Sequence, residues 1–272
     1  MASSPPRLRR LYRQLVTDQL TWVDEHATLP PGRLAPETRA TVVWVVAALV
    51  LVLMSYVVLN GDIQAILANA IIDLARSVDV ALGERLVKYE PLLEKLVWCT
   101  GAAIAYVGLP AFVVRVVFKQ RLRDYGLTLK GLRGHLPLYL ALALPVIALA
   151  FAGAATPLFQ AKYPFYREPH GVWDLAVWEL AYASQFFSLE FFFRGFFIHG
   201  LKDVLGRQAI FAMVVPYVMI HFGKPFPETL GAILAGSVLG LVSLRTGSIA
   251  GGVLVHVGVA WTMDLGSLLF RG

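Results

Sequence analysis

Four ionisable side chains stand inside otherwise apolar runs, and they are where this chain can do chemistry. Glu190 and Arg194 interrupt the run Gln185-Phe-Phe-Ser-Leu-Glu-Phe-Phe-Phe-Arg-Gly-Phe-Phe197. His221 closes Val-Pro-Tyr-Val-Met-Ile-His, and His256 lies within Gly-Gly-Val-Leu-Val-His-Val-Gly. A charge in hydrocarbon is costly unless it is paired or faces a wet cavity, so each is a functional candidate. Glu190 and Arg194 are four residues apart, share one helix face and can pair. An isolated buried ion pair is a poor stabiliser, which favours a purpose beyond holding helices together. A carboxylate and two imidazoles around a dry pocket can hold a water, deprotonate it and stabilise an oxyanion. The same groups can ligate zinc as His, His and Glu plus water, or relay protons in a transporter. A carboxylate can deprotonate water unaided, so no cofactor is expected; zinc is admissible but not required.

The elements that must position these groups are membrane helices. Of 272 residues 57% are hydrophobic and only 15% charged, with a mean hydropathy of +0.65, well away from a soluble domain. The expected fold class is all-α: a polytopic membrane helical bundle with about seven transmembrane helices, each needing about 20 apolar residues. They are expected near 41–60, 96–118, 136–155, 172–200, 208–222, 228–244 and 248–268. Residues 1–40 form a basic N-terminal segment whose Leu8, Leu11, Tyr12, Leu15, Leu20 and Val23 recur at helical spacing among arginines, predicting an amphipathic helix on the membrane surface. Residues 41–118 hold the first two spans with an amphipathic excursion over 61–92, and 119–272 hold the core. Cys99 alone excludes an internal disulfide or a multi-cysteine metal site. The net charge of +6 is read as a membrane orientation signal and not as a nucleic-acid footprint. Lys119, Arg121, Arg123, Lys130 and Arg133 face a single acid, Asp124, in one loop. By the positive-inside rule that loop and the N-terminus are cytoplasmic. The localisation expected is a bacterial inner membrane.

Spacing brings the four residues together. The midpoint of 190 and 221 falls at Leu205-Gly206-Arg207, a natural turn. A hairpin turning there sets Glu190 and His221 at one depth, roughly 20 Å from the cytoplasmic end, and His256 lies roughly 13 Å along the last span. Three helices thus deliver an acid and two imidazoles to one layer.

At these residues the chain resembles the CPBP family (CAAX protease and bacteriocin-processing, also called ABI), the glutamic intramembrane proteases. That family carries Glu-Glu-x-x-x-Arg, Phe-x-x-x-His and His-x-x-x-Asn/Asp on successive helices. Here they correspond to Leu189-Glu190-Phe-Phe-Phe-Arg194, Tyr217-Val-Met-Ile-His221 and His256-Val-Gly-Val-Ala260, and Asp124-Tyr-Gly-Leu-Thr-Leu-Lys resembles the stretch before the family core. The resemblance spans about 120–268. It implies an intramembrane endopeptidase in which Glu190 activates water, Arg194 fixes the carboxylate, His221 shares the water and His256 stabilises the oxyanion. Two departures matter: Leu189 replaces the first Glu, the usual water activator, and Ala260 replaces the polar residue of the third motif. Residues 189 and 190 are about 100° apart around a helix, so Glu190 does not inherit the missing carboxylate's place automatically. The run around 190–197 with His-Phe-Gly-Lys-Pro resembles a myxosortase-like branch. That implies processing of C-terminal sorting signals on exported, membrane-anchored substrates. A non-catalytic immunity or scaffold protein of the same fold, or a small proton-coupled transporter, are the rival readings.

Further residues complete the expectations. Asp264, one turn past Ala260, is a candidate replacement for its polar role. Tyr217 stands at the family's Phe position. Lys224 is placed to meet a substrate carboxylate or to snorkel to the interface. Glu179 is expected at the interface, His199 on the face opposite Glu190, and His135 and His170 in solvent near span ends. Phe191, Phe192 and Phe193 are expected to meet lipid and neighbouring helices. Gly231, Gly236 and Gly240 give one helix a small face for close packing.

Overall fold

The computed structural model describes residues 7–271, and every regular element among them is helical. The helices are α1 (7–26), α2 (Pro36–Val58), α3 (Gly61–Val78), α4 (Val80–Val87) and α5 (Glu90–Val117). They continue with α6 (Leu132–Ala154), α7 (172–205), α8 (Gln208–Met219), α9 (Phe226–Thr246) and α10 (Ala250–Leu269). Among the described residues, five helices are long and apolar enough to cross a bilayer: α2, α5, α6, α9 and α10. Two of the expected seven do not qualify, for different reasons. α7 is long but carries Asp174, Glu179, Glu190, Arg194, Lys202 and Asp203. α8 has 12 residues, about 18 Å of rise against a hydrocarbon core of about 30 Å.

α7 is the axis of the bundle. Phe191, Phe192, Phe193, Phe196 and Phe197 are all buried, packed among α2, α5, α8 and the loop before α6. The expected lipid contact of Phe191–Phe193 does not occur, because protein encloses every side of this stretch. Close approach explains how. A Cβ at Gly195 would lie 2.7 Å from the carbonyl oxygen of Tyr125, and one at Gly200 would lie 2.6 Å from the Val43 side chain. Over Phe191–Phe197 the helix loosens into wider i→i+5 turns, a form that recurs at functional sites. α7 ends at Leu205, and Gly206 adopts φ +52° to let the chain reverse into α8.

The flanking helices close around this axis. α10 packs along α6, with Gly251 pressed against the Tyr139 ring. α9 packs on α8 through Gly236, against Tyr217 and Val214, and on α8 and α7 through Gly240, against Ile210 and Ile198, as its small face predicts. Gly231 has open space beside it instead. The 61–92 excursion is a helical hairpin in which Asn60 and Asp79 cap α3 and α4. Cys99 is buried in α5. The expected N-terminal segment before residue 7 lies outside the described residues. Within α1, Leu11, Tyr12 and Leu15 are exposed while Val23 is buried. Its second half docks on the bundle: the Arg245 guanidinium lies 4.0 Å over the Trp22 ring, and Asp24 accepts from the Arg207 backbone N–H at 2.6 Å.

Candidate active site

Glu190 sits where the regular part of α7 gives way to its wider turns. It is completely enclosed. Its Oε1 accepts a hydrogen bond from Nδ1 of His256 on α10 at 2.8 Å and lies 3.2 Å from Nη1 of Arg194. A carboxylate accepts only, so Nδ1 carries the imidazole proton and Nε2 is left as an acceptor. The Tyr217 hydroxyl on α8 takes that position, 3.1 Å from Nε2. The Arg194 guanidinium stacks 3.9 Å over the Tyr217 ring. Ser243 of α9 donates to the Arg194 carbonyl at 3.2 Å, and Phe186 stacks on the His256 ring at 5.1 Å.

His221 joins from the end of α8. Its Nδ1 donates to the Tyr217 carbonyl at 2.8 Å, which leaves Nε2 unprotonated. Its ring centroid is 4.8 Å from that of Tyr217. The expected layer is therefore present as a chain of contacts, Arg194–Glu190–His256–Tyr217–His221, drawn from three helices.

Beside this chain lies a cavity of about 950 Å³. Its walls are mostly apolar and come from α2, α5, α6, α7, α8, α9 and α10. Tyr217, His221 and His256 line it; Glu190 and Arg194 do not. The sequence reading set Glu190 itself on the water. In the structure Glu190 is sealed behind His256 and touches the cavity only through that ring. Leu189 and Ala260, the two departures noted above, are both buried and both face the cavity. Gln185, one turn before Leu189, is also buried and lines it.

The secondary candidates fall elsewhere. Asp264 is fully buried and accepts from the Phe165 backbone N–H at 2.9 Å and from Trp178 Nε1 at 2.8 Å. It does not line the cavity; it ties the loop before α7 to α10. Lys224 lines the cavity but is paired with Glu228 at 2.7 Å, and the Tyr163 hydroxyl bonds the same carboxylate at 2.9 Å. Burial works against the Lys224 charge, but the Tyr163 hydroxyl and the Glu228 carboxylate beside it outweigh burial and raise its pKa. Glu179 is buried, not interfacial. His199 faces away from Glu190, toward Ser243 at 3.2 Å. His135 and His170 are exposed.

Three contributors escaped the sequence reading. Phe186 and Ser243 carry no signal that separates them from ordinary core residues. Gly252 does: it is half of a Gly-Gly pair inside an apolar helix, and a Cβ there would lie 2.5 Å from Glu190 Oε2.

Residues 170–262 match the family model described as type II CAAX prenyl endopeptidase Rce1-like. No curated protein and no solved structure matches the chain. The matched stretch is narrower than the resemblance read from the motifs, yet it contains Glu190, Arg194, Tyr217, His221 and His256. With five helices able to span a bilayer, the chain is an integral membrane protein whose residues 170–262 match the Rce1-like model of the CPBP family.

Proposed function

We propose that this protein is an intramembrane endopeptidase that cleaves membrane-anchored protein substrates inside the apolar cavity. The observation that carries the reading is the hydrogen-bonded chain from the sealed Glu190 carboxylate through His256 to the cavity wall. Glu190 fixes the tautomer and orientation of the His256 ring, as a carboxylate does for an imidazole it holds by one nitrogen. Arg194 keeps that carboxylate ionised and oriented. The free Nε2 of His221 accepts from a water in the cavity, and the Gln185 amide is placed to donate to the oxyanion. Catalysis is of the glutamic type in the sense that Glu190 drives it, acting through His256.

The chemistry proceeds without a metal ion. Both nitrogens of His256 and Nδ1 of His221 are already engaged, which leaves one imidazole nitrogen for a zinc ion that wants three protein ligands.

The cavity is lined by the end of α2, the end of α6 and the loop carrying Lys224. That is the half of the bundle away from the basic 119–133 loop and the docked α1. With the basic loop and N-terminus cytoplasmic, in a bacterial inner membrane, the cavity opens toward the outer face. This favours substrates already exported, and processing of their C-terminal sorting signals, over a prenylated cytoplasmic tail. Leu189 and Ala260 support a second reading, a non-catalytic immunity or scaffold protein, because both put hydrocarbon where the family has polar groups.

The test is Glu190→Gln, His221→Ala and His256→Ala in the host, with termini of the membrane proteome quantified. Accumulation of an unprocessed membrane-anchored precursor in all three supports the protease. Unchanged termini with lost resistance to a toxin supports the second reading.

A further inference from the structure

The sealed position of Glu190 raises a question of proton traffic. A base that never touches the cavity must hand its effect to a group that does. His256 lines the cavity, but its Nε2 is already covered by the Tyr217 hydroxyl at 3.1 Å. The other nitrogen is taken by Glu190 at 2.8 Å. No nitrogen of His256 remains to meet a water directly. Tyr217 is itself on the cavity wall, and its hydroxyl oxygen keeps lone pairs after donating its hydrogen to His256.

We infer that Tyr217 is a catalytic residue, the terminal member of a Glu190–His256–Tyr217 proton relay that opens into the cavity. The inference rests on the protease reading above. In the forward step a water held by His221 Nε2 attacks the scissile carbonyl carbon. As the oxygen–carbon bond forms, the water's proton passes to the Tyr217 oxygen. The Tyr217 proton passes to Nε2 of His256, and the imidazolium is balanced by Glu190. Collapse of the tetrahedral intermediate breaks the carbon–nitrogen bond. The proton returns by the same path, from His256 to Tyr217 and from Tyr217 to the departing amine. Tyrosine and imidazole end as they began, and no other reactant is consumed.

Two features suit Tyr217 to this role. The Arg194 guanidinium, 3.9 Å over its ring, favours the electron-rich phenol as its hydrogen is drawn toward His256. The backbone carbonyl of the same residue holds His221 at 2.8 Å. One residue thus registers both the relay and the group that positions the water.

The test is Tyr217→Phe in the full chain, compared with wild type and His256→Ala by quantifying termini of the host membrane proteome. Phenylalanine keeps the ring beneath Arg194 and removes only the hydroxyl. Termini that require His256 are expected to fall by about 10²-fold or more in Tyr217→Phe, the usual worth of a general acid–base group. Termini lost in His256→Ala but kept at wild-type level in Tyr217→Phe overturn the relay and leave the protease reading standing. Termini unchanged even in His256→Ala sink the protease reading and the relay with it. A substrate-independent measurement uses wild-type protein in nanodiscs with ¹⁵N-labelled histidine, His256 being assigned by its loss in His256→Ala. The neutral ring is expected to be protonated at Nδ1 and to accept at Nε2, with the Nε2 resonance moving in Tyr217→Phe. A ring protonated at Nε2, or a resonance indifferent to the substitution, overturns the relay.

Discussion

Gly252→Ala is the smallest change that should dismantle the site. The added Cβ would lie 2.5 Å from Oε2 of Glu190 and 3.2 Å from its carboxyl carbon. Ordinary non-bonded contact begins at about 3.4 Å, so the carboxylate must retreat by about 0.9 Å or α10 must shift. The other oxygen of the same carboxylate holds His256 at 2.8 Å and Arg194 at 3.2 Å. A retreat of that size stretches the first contact to as much as roughly 3.7 Å, beyond hydrogen-bonding range, and the second, an ion-pair contact, to roughly 4.1 Å. Forcing one methyl into a packed core costs about 1–3 kcal/mol, and leaving a buried charged acceptor under-satisfied adds about 1–3 kcal/mol. The expected result is a loss of about 2–6 kcal/mol in stability together with loss of His256-dependent termini by at least about 10-fold. Gly258→Ala, on the same helix, is the control. Its Cβ would meet only the Ile147 Cδ1 at 3.4 Å, and it should behave as wild type. Thermal unfolding in detergent and quantified membrane termini read both effects. If Gly252→Ala matches Gly258→Ala in both assays, the geometry argued for Glu190 is wrong.

Three other outcomes follow from the same contacts. Arg194→Lys keeps the charge but loses the guanidinium contact to Glu190 and the stack on Tyr217; processing should drop by at least about 10-fold, and wild-type activity would show that charge alone suffices. Asp264→Ala leaves the Phe165 N–H and the Trp178 Nε1–H without an acceptor and should cost about 2–5 kcal/mol in thermal unfolding, with Asp264→Asn losing less because one carbonyl oxygen remains. A strong chelator should leave processing in isolated membranes unchanged; inhibition that added zinc reverses would replace the relay with a metal site.

Much of this protein was legible in its residues alone. Apolar length, charge scarcity and the basic 119–133 loop specify membrane helices, because hydrocarbon leaves few ways to satisfy a backbone. The i, i+4 spacing of Glu190 and Arg194 specifies their pairing, and the symmetry of 190 and 221 about Gly206 brings His221 to their level. Such properties are local: they depend on helical rise and on the cost of burying charge. The tertiary structure alone decided which face of each group meets the cavity. Glu190 and Leu189 are neighbours in sequence, yet one is sealed and the other lines the wall. Phe191–Phe193 look lipid-facing until α2, α5 and α8 are wrapped around them. Asp264 looks like a replacement for Ala260 until Trp178 and Phe165, far off in the chain, claim its oxygens. Gly252 bears on the chemistry only because α10 passes within contact of an acid on α7. Helix rotation and the distance between helix axes are set by packing against distant segments, and no spacing within one helix encodes them.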